Sequence, residues 1–193
     1  MLDIGNLAKV TPKKAIPLSQ LCNLSDDAKL VLKAELSVIE YFTLLMGKEL
    51  YIDVVKLLAQ GLPIREGIWW SYCCAIEAEQ DKANEDVLNT LQVVKHWIYQ
   101  PNETYRRAAE VAAKKLEFKT PSSWVATAVF WSGGSVAPSD SPDVYIPEEH
   151  IGKAIAGAIM LACALDQNDN IQANYKRYLS RGFDIADGGN GEI

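Results

Sequence analysis

The sequence predicts an all-α protein, a single compact bundle of about seven to eight mostly antiparallel helices. Apolar residues recur at helical spacing in one segment after another, as at Val87, Leu91, Val94 and Ile98, the pattern of a helix with one buried face. No stretch alternates polar and apolar residues for more than a few positions, so no sheet is expected. Helix starts and stops follow one another at short intervals, and short connections favour antiparallel neighbours.

Taken in order, residues 1–24 carry Pro12 and Pro17 with little periodicity and read as an irregular N-terminal tail along the surface. The helical domain then spans 25–187. Ser25-Asp26-Asp27 sets a capping residue before acids at the positive end of a helix. Leu30, Ala34, Val38, Tyr41, Leu45 and Met46 continue the spacing to Gly47, as one helix or two. Residues 51–60 give a short helix with Ile52, Val55, Leu58 and Ala59 inward and Gly61 as its stop. The next helix opens with Pro63 at its first position and runs to about Glu79. It is apolar nearly all round, the mark of a central helix.

Gln80-Asp81-Lys82 is a polar turn, and Ala83 to Gln100 is a helix ended by Pro101. Asn102 caps the following one, whose inward face of Tyr105, Ala108, Ala109, Ala112 and Leu116 is narrow and rich in alanine. Thr120-Pro121-Ser122-Ser123 opens a helix carrying Trp124, Ala128 and Trp131 that stops at Ser132-Gly133-Gly134. Gly133 to Ile146 is the longest non-helical stretch, a length that is uncommon without a function or mobility. Pro147-Glu148-Glu149 begins a helix facing inward through Ile151, Ile155, Ala158, Ala162 and Leu165. Asn168-Asp169 leads the last helix, with Ile171, Tyr175, Tyr178 and Leu179 inward and Gly182 as its stop; 188–193 is expected to be a disordered tail.

Composition narrows the partners. The 193 residues are 49% hydrophobic and 23% charged with a net charge of −6, an ordinary globular composition that argues against nucleic acid as the main ligand. The basic pairs Lys13-Lys14, Arg106-Arg107, Lys114-Lys115 and Lys176-Arg177 read as solvated faces. The longest apolar run, Ala154 to Leu165, has 12 residues, short of the roughly 20 a membrane span needs. The N-terminus lacks the basic and apolar regions of a signal peptide. Cys22, Cys73, Cys74 and Cys163 form no C-x-x-C pair and read as reduced, small hydrophobes, which fits a cytoplasmic protein without membrane insertion.

Catalytic chemistry finds little support. His96 and His150 are the two histidines and lie in no metal-ligand spacing; no catalytic, cofactor-binding or metal-binding set emerges. Two motifs stand out as interaction or structural elements instead. Arg65, in the first turn of its helix, opposes the helix dipole and cannot face its neighbour Glu66. Beside Trp69 and Trp70 it should reach a carboxylate or carbonyl on another helix, or stack on an aromatic ring. That makes it a structural lock or, since Trp and Arg dominate binding hot spots, a recognition element. Trp131-Ser132-Gly133-Gly134-Ser135 reads as a helix end that reverses the chain, ahead of an anion nest or an exposed nucleophilic serine.

Leu62-Pro63-Ile64-Arg65-Glu66-Gly67-Ile68-Trp69-Trp70 together with Trp131-Ser132-Gly133-Gly134-Ser135 resembles an uncharacterised family of bacterial helical proteins, a domain of unknown function. Lys153 to Gly157, Tyr175 to Leu179 and Gly182 to Ala186 match the same pattern, over roughly residues 50–188. Gly67 stands where the family has alanine. Members are often encoded beside type VI secretion components. The resemblance therefore implies a non-enzymatic accessory protein, an adaptor or chaperone whose partner is a secretion effector or spike component. An immunity protein that occludes a toxic effector is a rival expectation, and an enzyme with a site near the 133–146 loop is another.

Overall fold

The computed structural model describes residues 3–80, 83–138, 140–167 and 170–192, which form ten helices and no strand. They are α1 (Ala15–Ser19), α2 (Asp26–Val31), α3 (Val38–Gly47), α4 (Tyr51–Gly61), α5 (Ile64–Glu79), α6 (Glu85–Tyr99), α7 (Glu103–Lys115), α8 (Pro121–Trp131), α9 (Glu148–Leu165) and α10 (Ile171–Asp187). The expected all-α architecture is present, with α1 and α2 as short additions. Residues 25–47 divide into two helices, α2 and α3, because Leu32 leaves the helical conformation at the end of α2.

Side chains close the helix starts, at Ser25, Asn102 and Thr120 as the sequence places them and also at Ser37 and Asn84. Ser25, Asn84 and Asn102 each accept a hydrogen bond from the backbone N–H three residues on. Ser37 with Glu40 and Thr120 with Ser123 complete reciprocal capping boxes. Each such cap contributes about 1 kcal/mol. For α10 the cap is Asn170; the expected Asn168-Asp169 start and the Asp81-Lys82 turn lie outside the described residues.

The middle of the bundle is α5, which packs against α6, α8, α9 and α10. Ile68, Trp70, Cys74 and Ala75 on it are fully buried. Gly67 lets α9 approach: a Cβ there would lie 2.9 Å from Ile155 Cδ1. Pro63 precedes the helix as its N-cap residue instead of occupying its first position.

Several expectations about the ends and faces are corrected. Residues 3–24 are not a surface tail. Leu7, Val10, Ala15 and Leu18 are buried in the core, and the Lys9 and Thr11 N–H groups donate to Ala186 O (2.8 Å) and Gly61 O (2.9 Å). The segment is needed because α4 is apolar on more than one side. Tyr51, Val54, Val55, Leu57 and Leu58 are all buried, while Ile52, expected inward, is exposed. Leu165 and Ile171 are likewise exposed.

Gly182 does not stop the last helix. It lies inside α10, where a Cβ would sit 2.6 Å from Trp70 Cε2, so the missing side chain admits the indole. The helix ends instead at Gly188, in the left-handed conformation (φ 110°) that glycine adopts freely. Residues 188–192, expected to be disordered, turn back over the helix: Gly189 N–H donates to Asp184 O and Gly191 is buried. Among the described residues no helix is long and apolar enough to cross a membrane.

Candidate functional site

The two motifs have different fates. Trp131 ends α8, and Ser132 is its C-cap. Gly134 takes a left-handed turn (φ 66°), and a Cβ on it would press within 3.0 Å of Arg106 Nη2. The Ser135 carbonyl accepts from Arg106 Nη2 (2.8 Å) and Arg107 Nη2 (2.7 Å). Its hydroxyl oxygen accepts from the Ala137 and Val144 N–H groups. The serine is thus committed to holding the 133–146 loop, as the chain-reversal reading implies.

Arg106-Arg107 is not a solvated pair. Arg106 is buried, donates to Phe130 O (2.6 Å), lies 5.2 Å over the Phe130 ring and pairs through two nitrogens with Glu103. The hydrogen bond from Arg106 holds the Glu103 carboxyl down at about 2. Inward placement follows from the alanine-rich face of α7, which leaves room for one long side chain between α7 and α8.

The Arg65–Trp70 motif divides between core and surface. Trp70 is fully buried and its Nε1–H donates to Tyr178 O (2.7 Å). Glu66 meets Lys9 at 3.4 Å. Arg65, by contrast, is exposed, and its Nε–H caps the C-terminal end of α6 at Ile98 O (2.6 Å). Trp69 is half-buried, stacked on Tyr72 (5.5 Å between ring centroids) and edge-on to Tyr99 (6.4 Å).

Arg65 and Trp69 begin a stripe. Arg65, Trp69, Tyr72 and Ile76 recur at i, i+4, i+7 and i+11 along α5, and Leu88, Gln92, Lys95 and Tyr99 repeat that spacing on α6. Between the helices lies a groove of about 410 Å³ lined by Tyr72, Ile76, Glu79, Leu88, Leu91 and Lys95 among others. Ile76, Leu88 and Tyr99 are 39%, 54% and 65% exposed. Among the described residues neither Arg65 nor Lys95 pairs with a carboxylate. Tyr99, Leu88, Lys95 and Ile76 were not singled out from sequence. The shared i, i+4, i+7, i+11 register on two consecutive helices is the signal that points to them.

Glu79 forms part of the groove wall and closes the start of α8, accepting from Ser122 N–H (3.0 Å) and Ser122 Oγ–H (3.1 Å). Burial pushes its carboxyl up to about 7, against the lowering effect of those two bonds.

Behind the face, a second polar cluster ties α5 to α9 and α10. Arg177 meets Asp166 (2.5 Å) and Glu77 (2.6 Å), Arg181 meets Glu77 (2.7 Å), and Tyr178 O–H donates to Asp166 (2.7 Å). Lys176-Arg177 is therefore not simply a solvated pair. Burial pushes the thiols of Cys22 and Cys163 up to about 12 and that of Cys73 to about 11. Such groups are poor nucleophiles. No group of three or more His, Cys, Asp or Glu side chains that could hold a metal ion occurs among the described residues.

A family model described as a family of unknown function, DUF6931, matches residues 41–186. No curated protein and no solved structure matches the chain. The match takes in both tryptophan motifs and the whole of α5 and α6.

Proposed function

The chain belongs to the family of unknown function DUF6931, and from that premise we propose a non-enzymatic accessory role in which the α5–α6 face binds another protein. The observation that carries this is the composition of the face. Exposed Ile76 and Leu88 line the groove with Tyr72 and Lys95, Tyr99 lies edge-on to Trp69, and Arg65 stands beside them at the end of α6. Aromatic residues and arginine dominate binding hot spots. Two cations that pair with no carboxylate among the described residues, on a chain of net charge −6, suit a partner whose apolar patch is bordered by acids. That polarity favours an adaptor or chaperone over an immunity protein for a basic nuclease.

The partner class we propose is an effector or spike component of a type VI secretion cluster, met in the cytoplasm. Support for that identity comes from the genomic company of proteins with the two tryptophan motifs, which is an association. The test is affinity capture from cells expressing the neighbouring genes, with the wild-type chain beside Leu88→Asp and Tyr99→Ala. Both substitutions alter exposed side chains and should preserve the circular dichroism spectrum. Recovery of a secretion component by the wild type, reduced at least tenfold by Leu88→Asp, is expected; recovery of none, or equal recovery by all three, refutes the proposal.

A further inference from the structure

The C-terminal segment makes a set of contacts that chain reversal alone does not require. Trp69 Nε1–H donates to Asn190 O (2.8 Å), Arg181 Nη1–H donates to Gly191 O (2.7 Å), and Gly191 N–H donates to Asp184 Oδ2 (2.8 Å). All three reach main-chain atoms of two successive residues. The side chains making them are held in advance: Trp69 between Tyr72 and Tyr99, Arg181 by Glu77, and Asp184 one helical turn beyond Arg181 on α10.

Because only backbone is contacted, selectivity comes from size. Gly191 has φ 80°, and a Cβ on it would lie 2.9 Å from Ile185 Cδ1 and 3.1 Å from Arg181 Cγ. A Cβ on Gly189 would overlap the Asp184 carboxylate. The intervening Asn190 is exposed, and its side chain only accepts a bond from Glu192 N–H within the tail. The three receiving side chains lie within the family match at 41–186, whereas the segment they receive lies beyond it.

We infer that Trp69, Arg181 and Asp184 form a cradle that reads the backbone of a Gly-Xaa-Gly segment, and that residues 189–191 fill it in cis. The filled cradle borders the α5–α6 face at Trp69. A Gly-Xaa-Gly segment of another protein that adopts the same turn, with its second glycine left-handed, meets the same donors and acceptor once the tail is displaced. The link to partner capture rests on the protein-binding role proposed above; the cradle itself does not.

The test is made on the full-length protein alone, by following the Trp69 indole N–H resonance, assigned with Trp69→Phe. Asn190→Ala should leave that resonance in place, since its side chain is not read. Gly191→Ala should shift it and raise its hydrogen exchange at least tenfold, with the circular dichroism spectrum unchanged. Adding the free peptide Gly-Gly-Asn-Gly-Glu-Ile to the Gly191→Ala protein at millimolar concentration, comparable to the effective concentration of a short tether, should restore the wild-type position. A peptide with alanine for its third glycine should not. An indole signal unmoved by Gly191→Ala, moved equally by Asn190→Ala, or not restored by the peptide overturns the inference. A positive result here with failed partner capture would refute only the protein-binding role.

Discussion

Gly182→Ala is the sharpest test of how α10 meets the central helix. In the middle of a helix, glycine to alanine ordinarily stabilises by about 1 kcal/mol. Here the added methyl would stand 2.6 Å from Trp70 Cε2, 2.8 Å from Trp70 Cζ2 and 2.8 Å from Leu58 Cδ2, against an optimal carbon separation of about 3.5–4.0 Å. Neither neighbour yields easily. Trp70 is fully buried and tied to Tyr178 O, and Leu58 is fully buried. Overpacking of this kind costs about 3 kcal/mol at the upper end of the usual range. Set against the propensity gain, the variant should lose about 2 kcal/mol, lowering Tm by about 4–8 °C for a chain of this size. Urea denaturation followed by far-ultraviolet circular dichroism gives the stability. A neutral or stabilised variant would refute the close approach.

Gly157, inside α9 with nothing within 4 Å of its absent Cβ, supplies the opposite sign: Gly157→Ala should gain about 0.5–1 kcal/mol in the same urea experiment. Arg106→Ala strips donors from Phe130 O and Ser135 O; it should cost about 3 kcal/mol, since hydrogen bonds to charged groups count for about 1.5–3 kcal/mol each. Limited proteolysis should then cut the 133–146 loop faster. Glu79 makes stability depend on pH. Its folded-state carboxyl titrates near 7, above the unfolded 4.5, so its contribution is fully present below pH 4.5 and is lost as pH rises through 7. The loss amounts to about 3 kcal/mol at 1.36 kcal/mol per unit, and Glu79→Gln should flatten the pH 5–8 slope of denaturation midpoints. Finally, with thiols raised to about 12 at Cys22 and Cys163, iodoacetamide at pH 8 should label the native protein slowly and the urea-unfolded chain quickly.

The helices were legible because their signals are local. A cap three residues before its partner, or an apolar residue every third or fourth position, can be seen without knowing what lies opposite. The features that escaped depend on elements far away in sequence. Gly182 carries the same letter whether it ends a helix or makes room for Trp70, and only the opposing helix decides between them. From sequence Arg106 reads as a solvated charge because its acceptors, Phe130 O and Ser135 O, belong to main chain some 24 and 29 residues on. Val10 and Leu18 lie in a segment without period, so nothing in it signalled that α4 needed covering. Of the candidate site, Arg65 and Trp69 stand out in the sequence, but no local signal decides between a lock and a recognition element. Arg65 proves to cap Ile98 while remaining exposed, and Trp69 sits at a surface junction that Trp70 does not reach.

Near the two ends of the described chain, Gly5 and Asp187 are in contact: Asn6 N–H donates to Asp187 Oδ1 at a separation of 181 residues, and a Cβ on Gly5 would touch that carboxylate. The polypeptide path therefore closes almost into a ring. Packing thus brings positions 5 and 187 close enough for a short covalent bridge between them to fit the fold. Bridging residues 5 and 187 and opening the backbone instead between Ser141 and Tyr145, all exposed, would leave the helix-to-helix interfaces with the neighbours they have now. The new ends would then lie beside the Arg106–Arg107 clamp, and Trp69 on the α5–α6 face would lose the Asn190 carbonyl it now holds.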